Sequence, residues 1–278
     1  MLNELKKEKV SRRKFFIGSA TFAVGAVAAG VTSGINPKVV AAAAPPLPFP
    51  YEILDVDLVR KRGYDYYFTG GCMYTVAKAL LDTLVEVVGA PWDSIPADMF
   101  KFGKGGAVNW GTLCGALNGC MAIIELAAGN AAETISPELM GWYTKFPFPS
   151  SAHEGYCAIS NQITTIADSP LCHQSVTLWS AAAGDTINSA EKKDRCAKLA
   201  GDTAAKTAEL LNEWKLGTFV VGYKPDADFA RCFPCHVGPT SRKDNVQGQM
   251  DCLECHTDKT NHKLEDGGVN YVFRNKEL

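Results

Sequence analysis

The chain is short of several things. Histidine is scarce, with five in 278 residues, and net charge is nearly absent at −2. Charged residues make up 21% and hydrophobic residues 46%, a balance that argues against both disorder and a fibrous fold. No apolar run beyond the N-terminal region reaches the length that spans a bilayer, so no permanent membrane anchor is expected in the mature chain. Basic residues are also in short supply where they would matter. The first 44 residues hold seven of the 28 Lys/Arg and two of the 30 Asp/Glu, which leaves 21 against 28, a net of −7. Such a surface is a poor match for nucleic acid, whose phosphates need Lys and Arg. It suits a protein partner with a basic docking patch.

Cysteine is what the chain has in excess: ten in all. Four fall into Cys232-Phe-Pro-Cys235-His236 and Cys252-Leu-Glu-Cys255-His256, two copies of the CxxCH pattern of c-type haem attachment. The spacing follows from the chemistry. Two thiols add to the vinyl groups along one porphyrin edge, and the adjacent histidine then lies beneath the iron as proximal ligand. Cys232, Cys235, Cys252 and Cys255 are therefore the expected thioether residues, and His236 and His256 the proximal ligands, of two haems c. Fifteen residues separate His236 from Cys252, so even a stretched linker spans at most roughly 50 Å. The stretch after Tyr223 is rich in Asp, Pro, Gly and Lys and poor in aliphatics. Two macrocycles would supply the apolar body that its side chains do not.

Three histidines remain as distal ligands: His262, inside the haem segment, and His173 and His153, upstream of it. Met250 is a weaker alternative. Filling both irons with histidine leaves no open coordination position, and such iron exchanges electrons without binding substrate. An electron carrier is the leading expectation. A haem- or cluster-dependent reductase of a small oxidant, or a redox or gas sensor, is the alternative.

The N-terminus reads as an address. Ser11-Arg-Arg-Lys-Phe-Phe-Ile17 precedes an apolar, Gly- and Ala-rich run, followed by Val39-Val-Ala-Ala-Ala-Ala44. This is the layout of a twin-arginine signal peptide cut near Ala43 or Ala44, which implies a periplasmic location. The expected organisation is residues 1–44 signal peptide, 45–222 helical domain and 223–278 dihaem segment. The fold class is mainly α: a helical bundle followed by a small, loop-rich haem-binding segment.

Within the helical domain, Pro45-Pro-Leu-Pro-Phe-Pro50 reads as an extended, loosely held lead-in. Apolar residues at helical spacing predict helices over Cys72 to Val88, Asn109 to Ala128 (broken by Gly115 and Gly119), Ser136 to Trp142 and Ala190 to Trp214, the last capped by Asn188-Ser189. Ile159 to Ala167 and Ser175 to Ala183 are further helical segments, and Gly217 to Gly222 is a short strand or connector.

Six cysteines lie outside the haem motifs: Cys72, Cys114, Cys120, Cys157, Cys172 and Cys196. In an exported protein they could form three disulfides. They could remain free core thiols, or converge on a metal. The export route bears on the choice, because the twin-arginine pathway carries folded cargo whose cofactor is often inserted first. Cys72, Cys114, Cys157, Cys172 and Cys196 are the candidate iron–sulfur ligands.

Gly71-Cys72, Cys114-Gly-Ala-Leu-Asn-Gly119, Ser169-Pro-Leu-Cys172-His173, Arg195-Cys196 and the two CxxCH motifs together resemble the split-Soret cytochromes c of sulfate-reducing bacteria. Their helical domain is related to redox-associated proteins named for a Cys…Gly-Cys-Ala-x-x-Gly…Cys…Cys pattern. The likeness covers about residues 60 to 262. It departs from the pattern where Gly-Ala, rather than Ala, follows Cys114. The resemblance implies a homodimer with two haems per subunit near the interface, bis-histidine iron with a ligand that can cross between subunits, and an iron–sulfur centre in the helical domain.

Overall fold

The computed structural model describes residues 45–224 and Met250. Residues 1–44, both CxxCH motifs and His262 lie outside the described residues.

The described chain is a helical bundle. It contains α1 (Val56–Asp65), α2 (Tyr67–Gly70), α3 (Cys72–Val87), α4 (Gly115–Ala128), α5 (Ala132–Lys145), α6 (Cys172–Ala183) and α7 (Ala190–Leu216), with short 3-10 turns such as Ala97–Gly103 and Ser151–His153 between them. The long α7 is the spine, against which α1, α3, α4 and α5 all pack. The core is assembled from Val76, Leu80 and Leu84 of α3, Leu117, Ile123 and Ile124 of α4, Ile135, Leu139 and Tyr143 of α5, and Leu199, Leu210 and Leu211 of α7. Alanines at 200, 204 and 208 give α7 a flat apolar face that neighbours can approach closely. Where α1 crosses α7, a Cβ on Gly63 would stand 2.8 Å from the Cα of Gly201, so the two backbones meet there without side chains between them.

The local signals act as physical chemistry dictates at several ends. Ser189 caps α7, its hydroxyl accepting from the Lys192 N–H at 3.0 Å, and Gly217 closes the helix in the left-handed conformation at φ 71°. The helix expected over Cys72 to Val88 is α3. The segment expected from Ser175 begins three residues earlier, at Cys172.

Other elements differ from expectation. The helix expected from Asn109 starts only at Gly115, because Val108, Asn109 and Gly111 take φ values of 42°, 66° and 69° and turn the chain back on itself. The helix expected over Ser136 to Trp142 runs from Ala132 to Lys145. Ser136-Pro137 resembles a start signal, yet Pro137 sits inside the second turn. Ile159 to Ala167 is not helical; Thr165 instead bridges Phe148 in an isolated antiparallel pair. Gly217 to Gly222 is a connector, and the described residues contain no strand. Helix α1, capped by Asp55, precedes the first helix that the sequence predicts. The Pro-rich lead-in is tied down. The Phe49 N–H donates to the Leu126 carbonyl at 2.7 Å, and its ring stands edge-on to Trp92 at 5.1 Å. Tyr51 and Leu54 are then held by Asn212 of α7.

Candidate metal centre

Four cysteines are delivered to one place by four helices. Cys72 is the first residue of α3, directly after Gly71 at φ 80°. Cys114 is the N-cap of α4. Cys172 is the first residue of α6, and Cys196 lies in the early part of α7. The segments carrying Cys114 and Cys172 are clamped side by side. The Cys114 N–H donates to the Pro170 carbonyl at 2.9 Å, the Cys172 N–H to Thr112 at 2.8 Å, and Leu113 bridges Leu171. Glycine at 115 lets α4 press against the start of α3, where a Cβ would meet that of Cys72 at 3.1 Å.

Three helix N-termini therefore face the same group of sulfurs, and the positive ends of their dipoles favour negative charge there. The N–H groups of Ala116 and Leu117 aim at the Cys114 sulfur. The thiols feel one another: Cys72 is influenced by Cys114, Cys196 and Cys172, and Cys172 by Cys114 and Cys196. Burial is the main force on them. It pushes the Cys72 and Cys114 thiols up from their ordinary range and that of Cys172 up to about 12, with Lys192 and Arg195 pulling the last partly back. Undisturbed, these are neutral thiols, and they become thiolates when a cation compensates the charge.

The surroundings hold donors in reserve. The Tyr143 hydroxyl is buried and turned toward Cys114 and Ser175 without closing a hydrogen bond. Arg195 is buried, with one guanidinium nitrogen donating to Ser175 Oγ at 2.9 Å and its Nε unpartnered. The Tyr67 phenol lies beside Cys72 and Cys196. Buried orphan donors around convergent thiols fit an anionic, metal-bearing group. All six described cysteines are free, and among the described residues no group of three or more His, Cys, Asp or Glu side chains is arranged to hold a metal ion.

Two cysteines stand apart. Cys120 is a core thiol whose Sγ donates to the Thr203 carbonyl at 3.7 Å, and burial pushes it up to about 12. Cys157 is half-buried beside the Ile159 carbonyl and Ser160 Oγ, in the loop after the Ser151–His153 turn. It was expected among the cluster ligands, and the structure does not bring it to the other four. The reason is local: the turn and Glu154 hold that loop elsewhere.

The histidines separate as cleanly. His153, expected as a distal haem ligand, is fully buried, with Nε2 2.9 Å from Asp202 Oδ1 and Nδ1 2.9 Å from the Tyr156 hydroxyl. With both ring nitrogens engaged it has none to offer iron. His173 is exposed on the first turn of α6, adjacent to Cys172, its backbone N–H anchored to the Gly111 carbonyl at 3.0 Å. Met250 is exposed. Tyr67, Tyr143 and Arg195 were not singled out as site residues by the sequence. Only Arg195, next to Cys196, carried a signal.

A helical fold that gathers four free cysteines around buried polar donors is chemically suited to a redox protein. The family described as "Putative redox-active protein (C_GCAxxG_C_C)" matches residues 72–210, half of the chain, and the chain belongs to it. Within that setting it is a homologue of split-Soret cytochrome c from Desulfovibrio desulfuricans (strain ATCC 27774 / DSM 6949 / MB), being 32% identical over 204 residues that span 70% of this chain and 72% of the relative. The solved structure described as "A novel iron centre in the split-Soret cytochrome c from Desulfovibrio desulfuricans ATCC 27774" superposes with a TM-score of 0.67 at 30% identity, covering 78% of this chain and 93% of that one. This kinship makes the chain an iron-binding electron-transport protein of the cytochrome type. No helix among the described residues is long and apolar enough to cross a membrane.

Proposed function

We propose that the chain is a periplasmic dihaem cytochrome c that also holds an iron–sulfur centre, and that it passes electrons between redox partner proteins. The observation that carries the reading is the convergence of Cys72, Cys114, Cys172 and Cys196 at three helix N-termini, in a chain that ends in two CxxCH motifs. When bound, an iron–sulfur group and the haems supply one-electron chemistry. The chain's own residues do the rest. The four thiolates hold the group, and the helix N-termini and Arg195 offset its charge.

Cys232 and Cys235 with His236, and Cys252 and Cys255 with His256, attach the two haems. With His153 taken up by Asp202 and Tyr156, His173 and His262 remain as distal ligands, two for two irons. His173 sits on the surface beside Cys172, where it can serve a haem of its own chain or of a second subunit in a homodimer. Insertion of the cluster before export accounts for a twin-arginine signal.

The test is analysis of anaerobically purified full-length protein. Iron clearly above two per chain, with matching acid-labile sulfide, and a low-spin spectrum unmoved by carbon monoxide are expected. Iron of two per chain without sulfide removes the cluster. A high-spin component that binds carbon monoxide moves the assignment to a reductase or gas sensor.

A further inference from the structure

A run of rings leads away from the four cysteines. The Tyr67 phenol lies beside Cys72 and Cys196. Its ring meets Phe68 edge-on at 5.6 Å, Phe68 meets Tyr64 at 5.7 Å, and Tyr64 meets Tyr156 at 5.6 Å. The far end is built differently from ordinary aromatic packing, because both phenols there have a dedicated proton acceptor. Tyr64 donates to the buried carboxylate of Asp194 while accepting from the Ala158 N–H at 2.7 Å. The Tyr156 hydroxyl is 2.9 Å from His153 Nδ1, and His153 Nε2 is 2.9 Å from Asp202 Oδ1. A proton on Nε2 directed at the carboxylate fixes the tautomer and leaves Nδ1 as the acceptor for Tyr156. Asp202 is itself held by the N–H and hydroxyl of Ser150 at 3.0 and 2.6 Å. The charge of the two carboxylates is offset by Lys198, 3.3 Å from Asp194, and by Arg60, 3.8 Å from Asp202.

We propose that Tyr64 and Tyr156 are redox-active and that this run drains oxidising equivalents from the cysteine centre toward the surface. The proposal rests on the iron reading above. Hydrogen peroxide needs two electrons and two protons to become water. A reduced iron group held by the four cysteines would supply one electron and Tyr156 the other, relayed by Tyr64 and Tyr67 with the Phe68 ring only packed between them, and the two protons are drawn from solvent. As Tyr156 gives up its electron its O–H bond breaks and the proton moves to His153 Nδ1. A neutral phenoxyl radical remains, beside an imidazolium stabilised by Asp202. Tyr156 is only half-buried, so a small thiol in solution can return the electron and hydrogen from outside.

The experiment is freeze-quenched electron paramagnetic resonance on anaerobic full-length protein mixed with hydrogen peroxide. The wild type is expected to give a phenoxyl signal whose hyperfine pattern changes when ring-deuterated tyrosine is incorporated. Tyr156→Phe loses most of that signal, and mass spectrometry finds several-fold more sulfinic and sulfonic acid at Cys72, Cys114, Cys172 and Cys196. His153→Gln slows radical formation. Tyr51→Phe, off the run, behaves as wild type. Equal radical yield and equal thiol oxidation in Tyr156→Phe overturn the relay, as does a wild type with intact iron and no deuterium-sensitive signal, which needs no variant to fold. Iron at the haem content alone overturns the iron reading and the relay with it, and iron analysis separates the two failures.

Discussion

Gly115 and Cys72 touch: a Cβ on Gly115 would stand 3.1 Å from that of Cys72 and 2.2 Å from the Gly103 carbonyl oxygen. Gly115→Ala therefore forces a backbone shift at the point where two cysteine-bearing helices meet. The expected cost is about 1–3 kcal/mol of stability, despite alanine's better helix propensity, together with a fall in non-haem iron. Urea denaturation and metal analysis of the same preparation check both.

The four-cysteine assignment predicts a sharp division among single Cys→Ala variants. Those at 72, 114, 172 and 196 lose non-haem iron and acid-labile sulfide while keeping covalent haem. Those at 120 and 157 keep both. Cys120→Ala removes one buried sulfur and costs about 1 kcal/mol in stability.

Part of this arrangement was legible in the sequence, and the boundary is physical. Helix α3 was readable because Val76, Leu80 and Leu84 repeat at helical spacing between glycines, and α7 because Ser189 caps it. The start of α4 was not, since the left-handed turn of residues 108, 109 and 111 is held by bonds back to Phe102, Lys104 and Gly105 and, at Gly111, by the His173 N–H some sixty positions away. Cys157 reads as a ligand in the chain, and only the Ser151–His153 turn and the bonds of Glu154 set its loop apart from the other four. His153 likewise looks available until Asp202, 49 residues on, takes its Nε2.

The buried thiols give the iron-free protein an alkaline weakness. Cys172 and Cys120 titrate near 9 when unfolded and are pushed up to about 12 in the fold. Above pH 9 the unfolded chain releases protons that the folded chain retains, so stability is full below 9 and falls as pH rises toward 12. Thermal melts from pH 8 to 11 should drop steeply for iron-free protein. Iron-loaded protein should drop less, because its cluster thiolates are already deprotonated.

Asn212 is a clamp. Its amide accepts from the Tyr51 hydroxyl at 2.7 Å and the Leu54 N–H at 3.0 Å, and donates to the Leu54 carbonyl at 2.9 Å. Asn212→Ala leaves these groups unpaired at about 1–3 kcal/mol. Hydrogen exchange should quicken at residues 49–54 and leave α3 and α4 protected.

His173→Ala tests the distal assignment. The spectrum of the reduced protein should gain a high-spin component that binds carbon monoxide, with haem content unchanged. A spectrum identical to wild type moves the ligand elsewhere.

The two kinds of cofactor site differ in how far apart their parts lie along the chain. Each CxxCH motif is five consecutive residues and exists as soon as that stretch of chain does. The other site needs positions 72, 114, 172 and 196, which meet only once α3, α4, α6 and α7 have docked. The four-cysteine group is thus a product of folding, formed after long-range contacts close, whereas a CxxCH stretch is complete without any. Under the proposed export of folded cargo, a slowly folding variant would be expected to accumulate without its four-cysteine iron and without crossing the membrane.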